Sequence, residues 1–205
     1  MPDRRDFLTQ LGALATVGAL DAAELRAAPA PGDPAWDTSW IDKLSSAQFR
    51  VVFNADQVSD GAAADYAATF FHDYHEVHAT ADGQTRPVIV CRRLGTPLAL
   101  NDTLWERYVV GEDTKITDSG THAPAKRNVF RKKLEGLQQR GLIVLVCNIA
   151  LGNWSARAAK RTNRKTDEVF AEARANLIPG AILVPSGIYA LIRAQNAGCA
   201  YMPGD

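Results

Sequence analysis

The stretch Gly141-Leu142-Ile143-Val144-Leu145-Val146-Cys147 constrains this chain more than any other. A strand with one wet face alternates apolar and polar residues. From Leu142 to Val146 there is no polar break, so both faces must be covered, as in the interior of a parallel sheet. Arg140-Gly141 ahead of it reads as a helix end, with the glycine taking the left-handed position. Asn148 behind it can begin the next helix. Cys147 is therefore expected at the carboxyl end of a central strand and beside a helix N-terminus. Open α/β sheets bind ligands at that edge, and a helix N-terminus stabilises a thiolate. A free cysteine also behaves as a small buried hydrophobe, and that bland alternative stands beside the chemical one.

The rest of the chain repeats the alternation of strand and helix. Strands are expected at 49–54, 87–91, 181–184 and 200–202. A helix over 61–78 would turn Ala63, Tyr66, Ala67, Phe70, Tyr74 and Val77 inward at 3.6 periodicity. A short helix is expected within 100–109, capped by Asn101 or Asp102, and another over 128–140 with Phe130, Leu134 and Leu137 inward. A small basic helix follows over 154–164, and Thr166 caps the next. Ser186 caps a last helix whose Ile188, Leu191 and Ile192 would face the core. Residues 111–126 carry no pattern and read as a long polar loop. This order predicts an α/β fold: a three-layer α/β/α domain with a mostly parallel sheet of about five strands.

Right-handed crossovers put all strand-to-helix turns on one edge of such a sheet. That edge would collect Asn54, Arg92, Arg93, Cys147, Asn148, Ser186 and Gly187. Cys147 is the catalytic candidate, the other six are binding candidates, and Arg92 or Arg93 would hold the thiolate or an anionic sulfur species. His72, Glu76, His75 and His78 do not converge on one helix face, so no metal is expected there, and no cofactor motif is present. Arg157, Lys160, Arg161, Arg164 and Lys165 read as a solvated face or an ion-pair contact in an oligomer.

Composition limits the partners. Lys+Arg and Asp+Glu both total 23 in 205 residues, which points to neither nucleic acid nor an anionic membrane surface. The three cysteines, Cys91, Cys147 and Cys199, are an odd number with no zinc spacing. At the N-terminus, Arg4-Arg5-Asp6-Phe7-Leu8 followed by an apolar stretch matches a twin-arginine export signal. Residues 1–30 read as that signal peptide and its cleavage region, 31–45 as a linker, and 46–205 as the α/β domain. The apolar stretch is too short and weak to leave a stable membrane insertion after cleavage. The expected location is periplasmic, or otherwise exported by the twin-arginine route.

The segments Arg140-Gly141 to Leu151, Leu177-Ile178-Pro179-Gly180-Ala181 through Pro185-Ser186-Gly187, and Gly198-Cys199-Ala200-Tyr201 together resemble the DsrE/DsrF-like family. The likeness is close over roughly the last third of the chain, while the region between Tyr74 and Arg127 departs from the short family members. The resemblance implies a parallel sheet and homo-oligomers, trimers or hexamers. In the sulfur-relay branch the cysteine after this strand carries sulfur as a persulfide, and Cys147 holds the matching position. A sulfur-carrier or thiol-based sulfur-transfer protein, with a sulfur donor or acceptor protein as partner, is one functional expectation. The other is a non-catalytic oligomeric binding or assembly module of the same fold.

Overall fold

The structure is a computed structural model and describes residues 36–205. The expected signal peptide and the first part of the expected linker lie outside the described residues. The second part of that linker is a helix, α1 (Ser39–Ser45), whose Trp40 and Leu44 are fully buried. Two large apolar side chains one turn apart bury together on one helical face. The domain therefore begins before residue 46.

Five strands form one sheet: β1 (Phe49–Ala55), β2 (Thr85–Cys91), β3 (Ile143–Cys147), β4 (Ile182–Val184) and β5 (Ala200–Pro203), in the order β4-β3-β2-β1-β5. Every pairing is parallel. In register, Val88 lies opposite Ile143 and Cys91 opposite Val146. All five residues of β3 are buried, as its unbroken apolar run requires. The middle of the sheet, however, is β2, with β3 beside it. Both strands are interior, and a continuous apolar run reports that both faces are covered without reporting position in the sheet.

The connections supply the covering layers. Helix α2 (Ala62–His78) links β1 to β2. A 3-10 segment (Arg93–Ala99), α3 (Asp102–Arg107), α4 (Val110–Thr114) and α5 (Arg131–Arg140) link β2 to β3. Helices α6 (Asn148–Thr162) and α7 (Thr166–Ala175) lead to β4, and α8 (Gly187–Asn196) leads to β5. Gly141 ends α5 at a φ of 117°, as the Arg-Gly pair implied. The larger core joins Val51, Phe53, Ile89, Cys91, Val144 and Val146 to α2 and to the helices that follow β2 and β3. The smaller core, on the opposite face, joins Val52, Val88, Val90, Ile143, Leu145 and Val184 to α1 and α8.

Three expectations are corrected. Helix α2 buries Ala63, Ala64, Ala67 and Phe71, whereas Tyr66 and Val77 are exposed. Helix α8 buries Gly187, Ala190 and Ala194 and leaves Ile188 and Ile192 exposed. In both cases small residues let the helix lie close on the sheet, and close approach decides the inward face over hydrophobicity. The basic helix starts six residues earlier than expected: α6 begins at Asn148, directly after the strand, and runs through Gly152-Asn153 without a break.

Candidate functional site at the carboxyl edge of the sheet

Cys147 is the last residue of β3 and the N-cap of α6. Its Sγ accepts a hydrogen bond from the Ala150 backbone N–H at 3.3 Å. A thiol in this position occupies the place of a capping hydroxyl and receives one of the free N–H groups of the first helical turn. Strand alternation turns it to the same face as Ile143 and Leu145, the face covered by α1 and α8. The residue is 6% exposed. Asn148, the first residue of α6, keeps its side-chain Oδ1 buried and without a hydrogen-bond partner.

The end of β4 lies next to it, with Val184 opposite Cys147 in register. Two residues on, Ser186 caps α8 and accepts the Tyr189 N–H at 3.0 Å. Gly187 then meets the side chain of Arg92. A Cβ at Gly187 would stand 2.8 Å from the Arg92 Cδ, so any larger residue there would push the arginine from its course across the start of α8. The edge thus brings Arg92 and Gly187 together.

The two arginines do not hold the thiol as expected. Arg92 pairs with Asp56 at 3.2 Å and Arg93 with the same carboxylate at 3.4 Å. Asp56 lies just past the end of β1, and β1 neighbours β2, so a carboxylate there is nearer in topology to the β2 turn than a residue on β3. Asn54, at the same strand end, donates through Nδ2 to the Tyr201 hydroxyl at 3.1 Å and so faces β5. The seven residues expected on one edge are all on it. They divide into a thiol group at β3–β4 and a charged group at β1–β2, with Arg92 reaching between.

The other two cysteines are Cys91 and Cys199. Cys91 is fully buried, and burial pushes its thiol up to about 12. Burial also pushes Cys199 up to about 11, partly offset by the charge of Arg50. All three thiols are free.

A cleft of 450 Å³ opens on the same edge, between the turns after β1 and β2 and the outer part of α6. Gln57, Ser59, Leu94 and Arg157 are among its lining residues. Val58 and Trp154 in its wall belong to the larger core, so it opens on the face opposite Cys147.

The remaining candidates have local duties. Of the basic run, Arg161 pairs with Asp113, and Arg164 with Glu172 at 2.7 Å. Both pairs lie within the chain. Burial works to raise the Glu172 carboxyl, but hydrogen bonds from Tyr108 and Arg164 and the charges of Arg107 and Arg164 hold it below the usual carboxylate range. The His75 ring meets the Thr80 carbonyl at 3.1 Å, and the His78 ring stacks on Phe49 at 5.2 Å.

Two residues of this edge, Asp56 and Asp205, are absent from the set expected on motif and spacing. Asp56 carries a signal, as an acid directly after a strand end. Asp205 carries none, because its partner is backbone.

No family model and no curated protein matches the chain. Among solved structures, a protein of unknown function, MTH1491 from Methanobacterium thermoautotrophicum, aligns with 76% of this chain and 98% of its own at 15% identity and a TM-score of 0.45. That likeness is too distant to bear on function.

Proposed function

We propose that this chain is a thiol-based sulfur carrier whose working group is Cys147, exported to the periplasm and assembled as a homo-oligomer. The observation that carries the reading is the hydrogen bond from the Ala150 N–H to the Cys147 Sγ at the start of a fifteen-residue helix. A helix N-terminus offers backbone N–H groups without helical partners, and one of them meets the sulfur that would do the chemistry. The sequence resemblance to the DsrE/DsrF-like family supports the same position.

The step balances without an external oxidant. The Cys147 thiolate attacks the terminal sulfur of a donor persulfide, R–S–SH. A new S–S bond forms on Cys147, the donor S–S bond breaks, and the donor leaves as the thiolate R–S⁻. Passing the sulfur on reverses these roles with an acceptor thiolate.

The assembly-module reading has its own support. Ile188 and Ile192, one turn apart on α8, are 61% and 52% exposed. Such a stripe suits a contact with another surface.

Incubation with a persulfide donor followed by mass spectrometry separates the two. A carrier gains one sulfur atom on the peptide containing Cys147, and Cys147→Ser abolishes the gain while Cys91→Ser does not. Absence of sulfur on Cys147 in the folded protein leaves the assembly module as the function.

A further inference from the structure

The 450 Å³ cleft on the larger-core face of the carboxyl edge stands apart from the Cys147 group. Its walls are held by backbone. The turn after β2 lies directly on the turn after β1. The Leu94 N–H donates to the Asp56 carbonyl at 2.8 Å, and a Cβ on Gly95 would stand 2.2 Å from the Ala55 carbonyl oxygen. Asp205 pins the first turn, its Oδ1 accepting the Asp56 N–H at 2.9 Å and the Gln57 N–H at 3.1 Å. A cleft with such walls exists before any ligand arrives, and its volume falls within the roughly 300–1,000 Å³ of small-molecule sites. Three groups of the lining have no use inside the chain. Leu94 is 55% exposed and continues an apolar wall formed by Val58 and Pro97. Trp154 is 1% exposed, yet its Nε1 has no hydrogen-bond partner among the described residues. A buried donor without a partner marks a missing acceptor. Arg157, one turn along α6 from Trp154, makes no ion pair among the described residues, whereas Arg161 and Arg164 of the same basic run are paired.

We infer that this cleft binds a small organic monoanion, a carboxylate on an aromatic or other apolar body, with the carboxylate on Arg157 and the body against Leu94 and Pro97. Charge decides for a single negative charge. Asp113, the acid of the lining, is neutralised by Arg161, so Arg157 is the cation left to meet a ligand. A dianion would keep one charge uncompensated beside the Asp113 carboxylate. A guanidinium presents paired N–H donors that match the two oxygens of a carboxylate. Size decides for a body, since a bare anion such as acetate fills a small part of 450 Å³ and leaves Leu94 in water. Trp154 adds an aromatic side chain and an unpaired N–H donor at the wall. The Thr114 hydroxyl is already spent on the Val110 carbonyl at 2.8 Å, while Gln57 and Ser59 line the same space and offer polar contacts to the body. The cleft and the Cys147 thiol lie on opposite faces of the sheet, so ligand binding here and sulfur uptake there are read independently.

The test is a titration of the chain with benzoate, followed by NMR at the Trp154 indole N–H and the Leu94 and Arg157 backbone amides. These resonances should shift together and saturate. Benzyl alcohol, which lacks the charge, should need about tenfold more to reach half saturation, the worth of one hydrogen bond to a charged group. Acetate, which lacks the body, should also bind more weakly than benzoate. Arg157→Gln should weaken benzoate by the same factor of about ten and leave benzyl alcohol unchanged, whereas Leu94→Ala should weaken both. Both side chains are exposed, so neither substitution disturbs the core. Phenyl phosphate that binds more tightly than benzoate would overturn the monoanion. Absence of a saturable shift with benzoate, or an affinity for benzoate indifferent to Arg157→Gln, overturns the site as a whole.

Discussion

The carboxyl ends of β2 and β3 are neighbours in the sheet, and each ends in a cysteine: Cys91 and Cys147. Their surroundings are nonetheless opposite. After Cys91 the chain stays extended through Arg92 before the 3-10 segment begins, and the thiol sits in the larger core, fully buried and pushed up to about 12. After Cys147 a helix starts at once, and the thiol receives an N–H from its first turn on the opposite face of the sheet. Each is the last residue of its strand, but Cys91 lies opposite Val146, so Cys147 is one residue further along and on the other face, and the residues that follow add the rest of the difference. A buried thiol with no helix behind it is a piece of core, whereas one at a helix start meets a free backbone N–H of the first turn.

The largest way to sharpen this contrast is paired substitution by serine. Cys91→Ser puts a hydroxyl into an apolar core and should cost about 1–3 kcal/mol in the urea midpoint. Cys147→Ser should cost less than about 1 kcal/mol, because serine is itself a favoured N-cap. Equal losses at the two sites would break the contrast.

A smaller effect is expected from Ala150→Pro. Ala150 lies in the first turn of α6, where its N–H has no helical partner, so proline removes the donor to Cys147 without removing a helical hydrogen bond. Loss of one hydrogen bond to a thiolate should slow sulfur uptake about tenfold. An unchanged rate under stopped-flow mixing would mean that the N–H does not support the reaction.

A further effect is a slope with pH. The folded protein holds the Cys91 proton up to about 12, against an ordinary value of 9.0. Between those values the unfolded chain has released the proton and the folded chain has not, so stability is intact below about 9 and falls as pH rises toward 12. Cys199, pushed up to about 11, adds to the same trend. Urea midpoints measured on either side of pH 9 should fall on the alkaline side, and less so in Cys91→Ala.

Much of this arrangement is legible in the order of the residues alone. The unbroken run into Cys147 implies a covered strand, Arg140-Gly141 implies the helix end before it, and Ser186 implies the cap of α8. Helix faces are harder. Ile188, Ile192 and Tyr66 fit an inward periodicity, yet Ala190, Ala194, Ala63 and Ala67 lie against the sheet. Hydropathy ranks side chains by their cost in water and is silent on how closely a helix approaches. The helix that Asn148 can begin and the basic helix expected over 154–164 are one element, α6. Pairing across strands is hidden altogether. That Arg92 and Arg93 meet Asp56 instead of Cys147 depends on β1 lying beside β2, and the two backbone donors for Asp205 have no side-chain signature.

The most direct measurement is the rate at which each cysteine of the folded chain reacts with a small thiol reagent, with each site identified by peptide mass spectrometry and compared with the urea-unfolded chain. The expected result is modification of Cys147 in the folded protein near neutral pH, while Cys91 and Cys199 react only on unfolding. Modification of Cys147 only in urea, at the same rate as Cys91, would contradict the claim that the helix start sets it apart.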